Sequence, residues 1–259
     1  MFFMKIIFLL FICTILYSND YKNKEVLLNS KLFQIYTIQK DLNQCKNKSL
    51  NVYIEGDGIS WETKHIISKN PTPKIPTSLN LMKTLNQKCA IYLARPCQFI
   101  NGKNCISKYW TSHRYSYSII QSYNEILDDL KNIYKIKNFN LTGYSGGGVI
   151  ATLITTQRDD INYLVTIASN LDIDKWTSYH KISKLYGSLN PSNYTFKLKD
   201  ISQYHLIGSK DTIVPFEIFQ SYYKRFDKKD KINFYLYKNN HFSNWEISYK
   251  DFYNLSFSK

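Results

Sequence analysis

The feature that most constrains the fold of this chain is a glycine-rich turn around one serine, residues 143–148 (GYSGGG). The apolar run 139–142 before it is typical of a strand, and the apolar run 149–154 after it is typical of a helix. A turn this tight requires glycine at positions close to the serine, and it exposes the serine hydroxyl at the helix N-terminus. The pattern predicts that Ser145 is a nucleophile, with Tyr144 as a candidate substrate-pocket residue.

Two further polar residues follow strand-like runs later in the chain. Asp211 lies in a loop after the apolar run 204–207, and His241 lies in a loop after the run 232–237. A serine hydroxyl is a weak nucleophile at neutral pH and needs a base within hydrogen-bonding distance. We therefore predict that His241 is this base and that Asp211 orients its ring and stabilises the imidazolium.

Other residues compete for these two supporting roles. The acid is alternatively Asp172 or Asp174, because both follow the strand-like run 163–167. The competing histidines all precede Asp211 along the chain: His65, His113, His180 and His205. Of these, His205 lies inside an apolar strand and is expected to be a core residue, and His113 is expected in a surface loop.

A second glycine-containing loop, residues 55–58 (EGDG), follows the strand-like run 51–54. The tetrahedral intermediate of acyl transfer needs two N–H donors for its oxyanion. One donor is expected from the backbone of Gly146, directly after the nucleophile, and the other from the loop after an early strand. By position we assign this second donor to the backbone of Asp57, with Gly58 as the alternative.

Strand-like and helix-like runs alternate along most of the chain. This order predicts an α/β protein with a mostly parallel central sheet and helices on both of its faces. A helix with an apolar stripe is expected to begin at Ser118, which forms a capping-box pattern with Gln121, and a shorter one at Ser78. Residues 170–199 are weakly patterned and are the candidate for a small cap over the site.

The chain order serine, aspartate, histidine is that of the α/β-hydrolase superfamily, which the chain resembles from about residue 49 to its C-terminus. It is similar to small exported bacterial α/β-hydrolases of uncharacterised substrate, in five stretches: residues 53–58, 93–98, 109–112, the turn at 143–148, and 187–191. The resemblance implies the α/β-hydrolase fold, and it places four residues near the site: Arg95, Cys97, Tyr109 and Trp110. Glu55 stands where many members carry histidine.

The N-terminal segment is typical of an export signal. Residues 1–18 combine a lysine, an apolar run of 12 residues and a polar end, and they are expected to be removed. If the segment is retained, or if Cys13 is lipidated, the protein is membrane-anchored; otherwise it is periplasmic or secreted. Residues 19–48 form a lead-in to the hydrolase domain, which comprises residues 49–259.

The cysteine content agrees with export. Cys45, Cys89, Cys97 and Cys105 remain after residues 1–18 are removed, an even number that suits an oxidising compartment. Spacing favours a Cys97–Cys105 disulfide, which leaves Cys45 to pair with Cys89. No spacing of cysteine and histidine suggests a zinc site, and the glycines near Ser145 lack the pattern of a dinucleotide site. No cofactor or metal is expected.

The net charge of +14 is carried by scattered lysines rather than by a basic helix. This distribution argues against a nucleic-acid partner and allows weak association with an anionic envelope surface. The motifs together predict a serine hydrolase of carboxylesterase type, acting on a small-molecule or lipid-like ester. A peptidase or thioesterase with the same triad, and a non-catalytic envelope binding protein with this fold, are the alternatives.

Overall fold

One sheet of eight strands organises the computed structural model, which describes residues 23–257. The strands are β1 (Lys24–Asn29), β2 (Gln34–Lys40), β3 (Ser49–Ile54), β4 (Ala90–Leu93), β5 (Asn138–Tyr144), β6 (Ile161–Ile167), β7 (Ser202–Gly208) and β8 (Ile232–Tyr237). Their order in the sheet is β1-β2-β4-β3-β5-β6-β7-β8. Only β1 with β2 and β2 with β4 pair antiparallel, so the predicted mostly parallel sheet is confirmed.

Helices cover both faces of this sheet, as predicted. They are α1 (Thr77–Leu85), α2 (Tyr117–Tyr134), α3 (Gly146–Thr155), α4 (Ile173–Tyr179), α5 (Phe216–Tyr223) and α6 (Trp245–Phe257). Alternate residues of β3 separate the two layers. Val52 packs in the core cluster that contains α2 and α3, and Tyr53 packs in the cluster that contains α1 and α6.

The starts of two helices differ from the sequence prediction. Helix α1 begins at Thr77 rather than after Ser78, whose hydroxyl donates to the carbonyl of Ile54 at 2.7 Å. Helix α2 begins after Ser116, so Ser118 lies inside the helix and does not cap it. Pro76 precedes α1, so Ser78 is free to bond to β3 from inside the helix. Several serines lie near the start of α2, and tertiary contacts decide which of them lies outside the helix.

The described part of the lead-in, residues 23–48, contributes the antiparallel edge of the sheet, of which β1 and β2 are the two outermost strands. The segment 1–18 that is predicted to be an export signal, with Cys13, lies outside the described residues. None of the helices within residues 23–257 is long and apolar enough to cross a membrane.

Two disulfides join the cysteines in the pairs expected from the sequence. Cys45 bonds to Cys89 just before β3 and β4, and it ties the starts of these neighbouring strands together. Cys97 bonds to Cys105 and closes the loop after β4. Gln98 in this loop is fully buried and donates to the carbonyl of Gly56 at 3.0 Å. The second disulfide thus braces the loop that follows β3.

Candidate active site

Ser145 lies in a strained turn between β5 and α3. Its φ of 51° and ψ of −122° are unusual for a residue with a side chain. The turn is held because the Ser145 amide donates to the carbonyl of Ile167 at 2.8 Å and the Gly148 amide donates to that of Ser145 at 3.0 Å. A Cβ atom at Gly147 would lie 2.6 Å from the carbonyl oxygen of Glu55, so close packing against β3 requires glycine there.

Ser145, His241 and Asp211 form a hydrogen-bonded chain. The Oγ atom of Ser145 lies 3.1 Å from Nε2 of His241. The Nδ1 atom of the same ring lies 2.8 Å from Oδ2 of Asp211. The three residues follow β5, β8 and β7, whose carboxyl ends meet at one edge of the sheet. The side chains that the sequence singled out are therefore together, while their catalytic roles stay a prediction.

The histidine and the aspartate are both held by backbone contacts. The Oδ1 atom of Asp211 accepts from the amides of Ile213 and Val214, each at 2.8 Å. The carbonyl of His241 accepts from the hydroxyl of Tyr144 at 2.7 Å and from the indole of Trp245 at 3.0 Å. Tyr144 therefore links the nucleophile turn to the loop that carries the histidine.

The competing acid Asp172 has other partners. Its carboxylate caps α4 and accepts from the hydroxyl of Ser221 at 2.6 Å and from the side chain of Asn190 at 3.2 Å. Asp174 also accepts from Asn190, at 3.0 Å. Both carboxylates thus support the segment 170–199 and do not contact the His241 ring.

The competing histidines contact groups other than Ser145. His205 is buried in β7 with Nδ1 2.7 Å from the hydroxyl of Thr166, and burial lowers its pKa to about 3. His113 packs edge-on against Tyr186 and is half-buried, whereas the sequence predicts a surface loop at this position. His180 lies 2.8 Å from the carbonyl of Ile213, and His65 is exposed. Within the described residues, none of these rings bonds to Ser145.

The loop 55–58 lies beside the nucleophile because β3 is the direct neighbour of β5 in the sheet. A Cβ atom at Gly146 would collide with the side chain of Asp57 and would lie 2.8 Å from the hydroxyl of Tyr115. The amide of Gly146 begins α3 and has no acceptor within that helix. Gly58 adopts a φ of 65°, which explains the glycine. The backbone of Asp57 as second donor stays a prediction.

The side chain of Asp57 anchors this loop through three partners, Arg95, Arg114 and Tyr115. These four residues are here named the Asp57 cluster. The carboxylate accepts from Arg95 at 2.5 Å, from Arg114 at 3.0 Å and from the Tyr115 hydroxyl at 2.6 Å. Both guanidinium groups are almost fully buried. Burial alone would raise the pKa of Asp57, but Arg114 and Arg95 outweigh it and hold that pKa below its usual value.

Sequence reasoning identified Arg95 and Asp57 but missed Arg114 and Tyr115. They lie 57 and 58 residues from Asp57 and belong to no motif. The remaining pocket candidates lie elsewhere. Tyr109 packs edge-on against Phe33, and the Trp110 indole donates to the carbonyl of Ser68 at 3.0 Å. Neither lines the cleft that contains Ser145, and neither do Arg95 and Cys97; of the four substrate-pocket candidates, Tyr144 alone lines it.

A cleft of about 710 Å³ opens above Ser145 and His241. Its apolar wall consists of Trp61, Ile75, Trp176, Ile213, Val214 and Phe242. Several of these side chains are exposed at the rim, among them Phe242 at 80% and Ile75 at 69%. The cleft therefore offers an apolar surface next to the nucleophile. Within the described part of the chain, no three His, Cys, Asp or Glu side chains are grouped to hold a metal ion.

Glu55 is a buried carboxyl at the start of the same loop. It accepts from the amides of Gly56 at 2.8 Å and Ser78 at 3.2 Å. Burial nevertheless raises its pKa to about 7, from 4.5. Below about pH 4.5 the carboxyl is protonated in both states. Between pH 4.5 and 7 only the unfolded chain releases the proton, so folding stability falls as pH rises through this window.

We expect Glu55 to remove about 3 kcal/mol of stability between pH 5 and 8. The Glu55→Gln variant should lose this part of the pH dependence, because glutamine does not titrate. Denaturant unfolding at a series of pH values measures the slope, with exposed Glu62→Gln as the matched control. Equal slopes for the wild type and Glu55→Gln would contradict the raised pKa.

The chain is similar to known proteins of one fold. A family described as alpha/beta hydrolase of unknown function (DUF915) matches residues 113–216. No curated protein matches the chain. The structure of the Pyrococcus furiosus esterase Pf2001 is similar with a TM-score of 0.63 and 14% identity, covering 90% of this chain and 89% of that one.

Two other solved structures are similar over nearly the whole chain. Est1E from Butyrivibrio proteoclasticus has a TM-score of 0.62 and 12% identity, covering 91% of this chain and 99% of that one. An alpha-beta serine hydrolase homologue from Coxiella burnetii has a TM-score of 0.62 and 11% identity, covering 90% and 95%. At such identities the similarity is evidence for fold alone. The chain has the α/β-hydrolase fold, which confirms the resemblance seen in its sequence.

Proposed function

We propose that this protein is a serine hydrolase that cleaves a small-molecule or lipid-like ester through an acyl-enzyme. The observation that carries the proposal is the hydrogen-bonded chain from Ser145 through His241 to Asp211, at the floor of an apolar cleft. The esterase named among the similar structures agrees with this reaction type.

In the proposed reaction, the Oγ atom of Ser145 attacks the ester carbonyl carbon while Nε2 of His241 accepts its proton. The tetrahedral intermediate collapses, and His241 returns the proton to the departing alcohol. A water molecule, deprotonated by the same ring, then attacks the acyl carbon. The bond to Oγ of Ser145 breaks, the ring returns the proton to this Oγ atom, and the acid is released. Asp211 keeps Nδ1 of the ring protonated and stabilises the imidazolium that forms in each half of the reaction.

The oxyanion is proposed to bind the amides of Gly146 and Asp57. An amide donor is effective only when it is fixed before the charge develops, and each such donor contributes roughly 3–4 kcal/mol. The Asp57 cluster supports the proposal because it clamps the side chain of the donor residue beside Gly146. The two arginines also neutralise the carboxylate, which would otherwise repel an oxyanion at this distance.

The proposed location is outside the cytoplasm. The two disulfides support it, since such bonds persist in oxidising compartments. The apolar wall around Trp61 and Phe242 suits the acyl chain of an ester better than a peptide backbone, whose polar groups need hydrogen-bonding partners. No step of the proposed chemistry needs a cofactor.

The Asp211→Asn variant tests the proposal. Asparagine retains an oxygen for the amides of Ile213 and Val214, but its NH₂ group faces the ring and favours the wrong tautomer. We expect kcat for p-nitrophenyl butyrate to fall by about 10³- to 10⁴-fold. The matched control is Asp174→Asn, which should retain wild-type kcat. Equal losses in the two variants, or no hydrolysis by the wild type, would contradict the proposal.

A further inference from the structure

Two residues in the wall of the cleft each carry a buried polar atom that lacks a hydrogen-bonding partner. Among the described residues, six buried side-chain nitrogen or oxygen atoms are unpaired, and two of them are Oγ of Ser60 and Oδ1 of Asn170. Both residues line the cleft that contains Ser145 and His241. They are only 7% and 5% exposed, so bulk water does not replace the missing partners.

These two residues lie on opposite sides of the nucleophile. Strand β5, which ends beside Ser145, lies between β3 and β6 in the sheet. Ser60 lies in the loop that leaves β3, and Asn170 follows the end of β6. A substrate bound with its carbonyl at Ser145 thus extends toward Ser60 in one direction and toward Asn170 in the other.

An unpaired buried polar group destabilises a fold, because the group loses its hydrogen bonds to water and gains none. A ligand that supplies the missing partner removes this cost, and sites of this kind strongly reject ligands that lack the matching group. Rotation about χ2 of Asn170 has a broad, shallow energy profile, so its amide can turn toward a group in the cleft. The hydroxyl hydrogen of Ser60 rotates freely and can donate or accept.

We propose that Ser60 and Asn170 bind hydrogen-bonding groups of the substrate on the two sides of the scissile bond. The substrate class is then an ester with a hydroxyl or amide group near the carbonyl in both its acyl and its alcohol part. The apolar wall around Trp61 and Trp176 packs against the carbon skeleton between these groups. This inference rests on the proposed function and defines its substrate class.

Two matched pairs of esters test the inference. The acyl pair is p-nitrophenyl β-hydroxybutyrate and its isostere p-nitrophenyl isovalerate. The alcohol pair is glycerol 1-monobutyrate and its isostere 2-methylbutyl butyrate. We expect wild-type kcat/KM to favour the hydroxylated member of each pair by about 10- to 100-fold. The Ser60→Ala variant should abolish the preference within one pair, and Asn170→Leu should abolish it within the other.

The control variant is Asn124→Leu. The Oδ1 atom of Asn124 is also buried and unpaired, but Asn124 lies in α2 and does not line the cleft. This variant should keep both preferences. The midpoint of thermal unfolding should not fall in Ser60→Ala or Asn170→Leu, because each substitution removes an unpaired polar group. A lower midpoint with unchanged preferences would assign these side chains a structural role and overturn the inference.

The kinetic outcomes separate this inference from the proposed function. Hydrolysis of both members of each pair at equal rates would overturn the inference and leave the serine hydrolase intact. No hydrolysis of any of the four esters would overturn both.

Discussion

Replacement of Ser145 by alanine is expected to lower kcat for ester hydrolysis by about 10⁶-fold. The substitution removes one oxygen atom and leaves the His241 ring, the Asp211 carboxylate and both proposed oxyanion donors in place. Covalent catalysis is lost, because Ser145 carries the hydroxyl that bonds to Nε2 of the His241 ring, and among the described residues no second hydroxyl bonds to that nitrogen. The same variant should fail to react with a fluorophosphonate probe, which labels the wild type on Ser145.

The matched control is Ser243→Ala. Ser243 lines the same cleft, but its hydroxyl accepts from the amide of Asn240 at 2.8 Å and does not contact the histidine. Labelling with the probe and hydrolysis of p-nitrophenyl butyrate are measured for both variants, and circular dichroism verifies that both are folded. Equal labelling of Ser145→Ala and the wild type would refute the assignment of the nucleophile.

The positions of Ser145, Asp211 and His241 could be predicted because each follows a strand in a local pattern. In a parallel sheet, the loops after successive strands meet at one edge, so the order of motifs along the chain is enough to bring these residues together. The apolar runs around them also marked the strands. The distances between the side chains depend on the register of β5, β7 and β8, which no local pattern determines.

The Asp57 cluster could not be predicted in full for a related reason. Arg95 and Arg114 each lie in a stretch without regular periodicity, and their common partner is 38 and 57 residues away. Ser60 and Asn170 were missed because a missing hydrogen bond leaves no trace in sequence. The helix start at Ser78 was wrong because its hydroxyl bonds to the carbonyl of Ile54 instead of capping the helix. The start at Ser118 was wrong because Ser116 competes for the cap, and only tertiary packing selects between them.

Removal of the Asp57 carboxylate is expected to have the largest effect on stability. In Asp57→Ala, the buried guanidinium groups of Arg95 and Arg114 lose the anion between them, and two like charges then face each other in a site poor in water. Loss of one partner from a buried ion pair costs about 3–5 kcal/mol. For a domain of this size, that corresponds to a decrease of about 10 °C in the unfolding midpoint.

The same variant should lose activity beyond its loss of stability, because the loop 55–58 loses the anchor of the proposed oxyanion donor at Asp57. We expect kcat for p-nitrophenyl butyrate to fall by about 10²-fold at a temperature where the variant is fully folded, as for loss of one oxyanion donor. The surface variant Asp227→Ala is the control for removal of a carboxylate, and it should change neither quantity.

The double variant Asp57→Ala/Arg114→Leu separates the two effects. It removes one of the two uncompensated charges, so the double variant should be more stable than Asp57→Ala. Its loss of stability should be smaller than the sum of the losses in the two single variants. Activity should not recover, because the loop still lacks its anchor. Recovery of both quantities together would mean that the cluster acts on folding alone, and an unchanged unfolding midpoint in Asp57→Ala would contradict the ion-pair cluster itself. After either result, the cluster would have no part in fixing the oxyanion loop, and Gly58 would become the candidate for the second donor.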